Sequence, residues 1–149
     1  MFKSLLIATD GSELGNKAVA AGIDIAKAYG ARVTIITATD PVATGIGSGG
    51  FGTIDAGPVI ARLEEAYTEE AAKTLAAAKA VADGAGIAAK TIHVARTRPA
   101  DAILEAAKGE NADTIIMGSH GRRGFKRLLL GSQASEVLSH ADIPVLIVK

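Results

Sequence analysis

Short apolar runs alternate along the chain with segments whose apolar residues recur every three or four positions. The first run, 5–9, is almost continuously apolar and stops at Asp10-Gly11-Ser12. A run of that kind suits a strand buried on both faces, as in a parallel sheet. Ser12 then offers a hydroxyl for an N-cap. Ala18, Ile23 and Ala26 mark one face of a helix reaching Tyr29, with Gly30 closing it. Further strands are predicted over 33–38, 89–95, 114–117 and 145–148. Helical spacing runs from Val59 through Leu63, Ala66 and Leu75 to Ala82, where Asp83-Gly84-Ala85-Gly86 breaks it. Pro99 suits the first turn of a helix over 100–108, and a short helix is predicted over 133–139. The stretch from Asp40 to Pro58 reads as a long glycine-rich loop.

Strands that alternate with helices imply βα units joined by right-handed crossovers. The predicted architecture is therefore α/β, a single open five-stranded parallel sheet flanked by helices, in one domain over 1–149. A domain of that size buries about two-thirds of its unfolded surface, so its core needs no metal or crosslink. Ligands of open parallel sheets lie beyond the carboxyl ends of the strands, where strand order reverses. That rule points to Asp10 after the first strand, 38–40 after the second and Gly118 onward after the fourth.

Composition removes several classes of function. Sixteen Lys and Arg balance sixteen Asp and Glu, and aromatics are only 3%, so neither the charge nor the stacking platforms of a nucleic-acid binder are present. Cysteine is absent, which excludes thiolate metal sites, disulfides and cysteine nucleophiles. No apolar run approaches the ~20 residues of a membrane span, and the first apolar run is too short for a signal-peptide core. Cytoplasmic residence is the expectation.

The most informative pattern is Gly118-Ser119-His120-Gly121 followed, after nine residues, by Gly131-Ser132. Isolated glycines often do no more than permit turns. Here they follow a buried strand and end at a helix start, where backbone N–H groups approach phosphate closely and the helix end favours negative charge. Ser132 adds a hydroxyl that can reach a phosphate or its metal. Asp10 has a plain reading as a helix cap, but its place at a strand's carboxyl end favours ligand contact. Magnesium takes oxygen ligands from one or two carboxylates plus phosphates, which Asp10 and a triphosphate supply.

With these motifs the sequence resembles the universal stress protein family, in its nucleotide-binding branch. Gly118, Gly121, Gly131 and Ser132 match that branch's G-x2-G-x9-G-[S/T] pattern in full. The opening Ile7-Ala8-Thr9-Asp10-Gly11-Ser12, the run Thr114-Ile115-Ile116-Met117, Leu128-Leu129-Leu130 before Gly131 and the closing Pro144-Val145-Leu146-Ile147-Val148 extend the resemblance over essentially the whole chain. It implies strand order 3-2-1-4-5, a Rossmann-like fold and bound ATP, with magnesium held through the nucleotide. Carried over residue by residue, Asp10 would lie near the ribose and the metal-phosphate region. Ala8 and Ala38 would border the adenine, and Met117 and Gly118 would edge the ribose. Gly121, Arg122, Gly131, Ser132 and Gln133 would face the phosphates. The resemblance also implies a homodimer through the last strand. Thr97-Arg98-Pro99 departs from the Gly-acidic-Pro turn of many relatives and adds positive charge at the sheet's carboxyl edge.

Other features carry less. Gly47-Ser48-Gly49-Gly50-Phe51-Gly52 spells G-x-G-x-x-G, but it lies mid-loop rather than between a first strand and its helix, so it is not a dinucleotide fingerprint. A lid over the ligand or a disordered loop are its two remaining readings. No Gly-Lys-Ser/Thr occurs, so there is no P-loop. Arg122, Arg123, Lys126 and Arg127 form the densest basic cluster, a solvated face from which one or two members could neutralise phosphate. His120 could position the loop, whereas His93 and His140 are isolated. Two functions from different classes remain: an ATP-binding stress or regulatory protein whose nucleotide state is read by a partner protein or the dimer, and a slow ATPase or phosphotransferase at the same site. Flavin or another dinucleotide is a weaker third, since fold does not fix function.

Overall fold

The computed structural model describes residues 1–43, 56–122 and 130–149. Five strands, β1 (Ser4–Ala8), β2 (Arg32–Ala38), β3 (Ala89–Val94), β4 (Thr114–Gly118) and β5 (Val145–Val148), form one sheet in the order β3-β2-β1-β4-β5. Every pairing is parallel. Four helices, α1 (Glu13–Tyr29), α2 (Gly57–Gly84), α3 (Pro99–Gly109) and α4 (Ser132–His140), cover its two faces. Side chains alternate across the pleat of β1. Leu5 and Ile7 pack with Val19, Ile23, Leu75 and Ala78 beneath α1 and α2. Leu6 and Ala8 pack with Ile103, Ala107, Ala134 and Val137 beneath α3 and α4. A strand buried on both sides has no polar alternation to show, which is why 5–9 is so evenly apolar.

Predicted and observed strand ends agree within a residue. Ser12 caps α1 as the sequence suggests: its hydroxyl oxygen accepts the Gly15 N–H at 3.1 Å, and Gly30 closes the helix in the left-handed conformation. The long loop is shorter at its C-terminal end than expected. Pro58 lies inside the first turn of α2 rather than in the loop, because a proline there forfeits no helical hydrogen bond. The glycine run 47–52 lies outside the described residues.

At 28 residues, α2 exceeds what the sheet can cover. Its buried positions, Ala71, Leu75, Ala78 and Ala82, all fall in its C-terminal half, while Val59 and Leu63 are exposed. Among the described residues, no helix is long and apolar enough to cross a membrane.

Candidate functional site

Strand order reverses between β1 and β4, and a cavity of about 430 Å³ opens beyond their carboxyl ends. That volume falls within the usual range for small-molecule sites. Ala8 and Asp10 border it from the end of β1, and Ala38 from the end of β2. Met117, Gly118, Gly121 and Arg122 border it from β4 and the loop that follows, and Gly131, Ser132 and Gln133 from the start of α4. The ten residues that the family resemblance carries over therefore border one cavity.

Asp10 is the hinge of this arrangement. Its Oδ1 accepts the Ser12 N–H at 3.0 Å, and its Oδ2 accepts the Arg122 N–H at 2.7 Å. One carboxylate thus fixes both the turn into α1 and the loop after β4. The glycines of the motif permit the close packing this needs. A Cβ at Gly118 would stand 3.0 Å from the Leu14 backbone, and one at Gly131 would stand 3.0 Å from the Ser119 carbonyl oxygen. Ser119, itself buried, accepts the Gly131 N–H at 2.8 Å and donates its own N–H to Val148. Its hydroxyl shares a 3.1 Å hydrogen bond with His120 Nδ1. That ring nitrogen is thus paired with a hydroxyl, not with the carboxylate that would orient a general base.

At the start of α4, Gly131 provides no side chain to cap the helix. The N–H groups of such a first turn have no intrahelical acceptor and form a ready site for an anion. Here Ser132, Gln133 and Ala134 present that turn at the cavity wall. Gln133 has a further task that its position in the motif did not suggest. Its Oε1 accepts the Ala100 N–H at 2.9 Å, capping α3, whose own N-cap residue Arg98 supplies no side-chain bond.

One wall had no signal in the motifs. Tyr67, Glu70, Ala71 and Thr74 of α2 close the side opposite α3 and α4. Their spacing continues the stripe formed by Ala71, Leu75, Ala78 and Ala82, so one helix face packs on the sheet and then lines the cavity. Glu70 pairs with the Arg122 guanidinium, so this side chain rests on α2. Arg123, Lys126 and Arg127 lie outside the described residues.

The universal stress protein family model matches residues 1–149. The chain belongs to that family. Among its universal stress protein relatives, one from Thermus aquaticus is 36% identical over 149 residues and covers all of both chains. Universal stress protein MJ0531 of Methanocaldococcus jannaschii is 34% identical, over all of this chain and 83% of its own length. Among solved structures, that of MJ0577 superposes with a TM-score of 0.85 at 30% identity, covering 100% of this chain and 96% of that one. A universal stress protein solved in complex with cAMP superposes with a TM-score of 0.67 at 27% identity, covering 99% and 96%. The Rossmann-like order and the flanking helices are those of the universal stress protein fold.

Proposed function

We propose that this universal stress protein binds ATP in the cavity beyond β1 and β4, and that occupancy is read by a partner protein or by a second copy of the chain in the cytoplasm. The observation that carries the reading is the uncapped first turn of α4, open to a cavity at the point where strand order reverses. Phosphate is the ligand such a turn favours. The ends of β1 and β2, with Ala8 and Ala38 beside Ile36 and Ile103, offer the less polar end suited to a base. A universal stress protein solved in complex with cAMP supports an adenine nucleotide as the class of ligand.

Magnesium would arrive with the phosphates. The ion keeps most of its shell from phosphate and water and needs few protein ligands. Asp10 and the Ser132 hydroxyl would hold it, and the ion would neutralise phosphate charge. The Asp10 carboxylate has about four lone-pair sites, of which the two backbone N–H groups use two.

Binding with slow turnover, rather than rapid catalysis, is part of this reading. Phosphoryl transfer needs a group that orients the attacking water or hydroxyl. Among the described residues, His120 Nδ1 is paired with the Ser119 hydroxyl rather than with a carboxylate that would orient the ring as a base. Calorimetric titration with ATP, AMP and adenosine, with and without magnesium, tests the reading. ATP should bind more tightly than adenosine, and magnesium should strengthen ATP alone. Asp10→Asn should shrink the magnesium effect. Absence of ATP binding at millimolar nucleotide would refute the proposal, and rapid single-turnover hydrolysis would replace it with an enzyme.

A further inference from the structure

Arg122 is held at two points. Its backbone N–H is bonded to Asp10 Oδ2, and its guanidinium is paired with Glu70 of α2. The side chain crosses the start of α1, where a Cβ at Gly11 would stand 3.0 Å from Nη2. Glu70 and Arg122 line the proposed nucleotide cavity and also a second cavity of about 440 Å³ between Asn16 of α1 and Lys73 of α2. The ion pair is therefore the partition between the two spaces. A second pair, Arg96 with Glu64 at 3.9 Å, ties the same half of α2 to the loop after β3.

Building on the nucleotide reading above, we propose that Glu70 is a resident substitute for phosphate. It pairs with the Arg122 guanidinium and yields it when a nucleotide phosphate arrives. Glu70 thereby lowers affinity for phosphorylated nucleotides and leaves affinity for the nucleoside untouched. The exchange is feasible because both side chains are about half exposed, 48% for Arg122 and 57% for Glu70. Exposed pairs contribute little, whereas guanidinium and phosphate form charge-assisted, bidentate bonds. Because the nucleotide must displace Glu70 from Arg122, the presence of the pair weakens ATP binding by about two- to fivefold, the equivalent of an exposed ion pair.

A double-mutant cycle read by calorimetry tests this with ATP and adenosine as ligands. Glu70→Gln should tighten ATP binding by about two- to fivefold and leave adenosine unchanged. Arg122→Gln should weaken ATP, and adding Glu70→Gln to it should have no further effect. Three outcomes overturn the proposal while leaving the nucleotide site intact. Glu70→Gln could weaken ATP as Arg122→Gln does, which would make Glu70 a positioning residue for the arginine. It could tighten ATP equally in both backgrounds, which would make it a simple repulsive charge. It could have no effect. Absence of ATP binding by the unmodified protein and all three variants would overturn the nucleotide reading together with this one.

Discussion

Gly121 faces Asp10 so closely that a Cβ at position 121 would stand 2.7 Å from the aspartate Oδ2. The same oxygen accepts the Arg122 N–H, also at 2.7 Å. The second glycine of the motif is thus required by the protein's own hydrogen bonding, before any ligand is considered. Gly121→Ala should push the carboxylate off the Arg122 N–H and loosen the loop after β4. Stability should fall by about 0.5–3 kcal/mol, the ordinary range for a strained loop substitution. ATP affinity should fall by about tenfold, roughly 1.4 kcal/mol. Thermal unfolding and calorimetry on the same sample check both. Unchanged values would separate Asp10 from the loop.

Gln133 should matter for stability even without nucleotide. Gln133→Leu removes the acceptor for the Ala100 N–H at the start of α3, and loss of such a cap costs about 0.5–2 kcal/mol. Gln133→Glu keeps an acceptor oxygen and should recover most of the loss, while its negative charge should weaken ATP binding. Urea unfolding midpoints decide the first part and titration the second. Equal stability of the leucine variant would remove the capping role.

At the other end of the sheet, Asp113 links β4 to the chain start. Desolvation raises its pKa, but hydrogen bonds from the Lys3 N–H, the Thr114 hydroxyl and the Ser4 region, with the nearby amino terminus, outweigh it, and the net direction is downward. A depressed carboxylate stabilises the folded state above its unfolded value and ceases to do so as pH falls through its folded value. The unfolded value is about 3.9. Stability should therefore decline as pH drops below about 4, and Asp113→Asn should flatten that part of the decline. Urea midpoints measured at successive pH values test the difference. Parallel curves for the two proteins would refute it.

The proposed dimer has a definite surface. β5 pairs with β4 on one side and with no other strand among the described residues, and Leu146 is 37% exposed there. An apolar strand edge left open invites pairing with a second copy. Light scattering should give twice the chain mass for the unmodified protein and the chain mass for Leu146→Lys. A monomer at high micromolar concentration in the unmodified protein would sink the proposal.

Legibility in the sequence followed the range of the interactions. β1 and β4 are readable because burial on both faces leaves an unbroken apolar run, whereas Ala8, Ala38, Met117, Arg122 and Gln133 are legible only through the family resemblance. What went unread depends on distant packing. Tyr67, Glu70 and Thr74 carry no motif and reach the cavity only because α2 outruns the sheet. Gln133 looks like a phosphate residue from its neighbours, yet its oxygen caps a helix whose start is 33 positions away. Pro58 reads from the sequence as loop, whereas Pro99 reads as the start of a helix. The difference was the glycine-rich stretch before Pro58, which hides the first turn of α2.

Ser119 receives the chain on both sides of the motif: its carbonyl takes the Gly131 N–H, and its N–H is fastened to Val148 of β5. The chain thus leaves the scaffold and re-enters it at a single staple. The two contacts fix residues 119 and 131 relative to the sheet. Each doubling of the span between two such contacts adds only about 0.6 kcal/mol of closure entropy. Evolution can therefore lengthen, shorten or recharge it without shifting the register of β4 against β5. The fastening at Ser119 thus separates the register of the sheet from the length of chain between its two contacts.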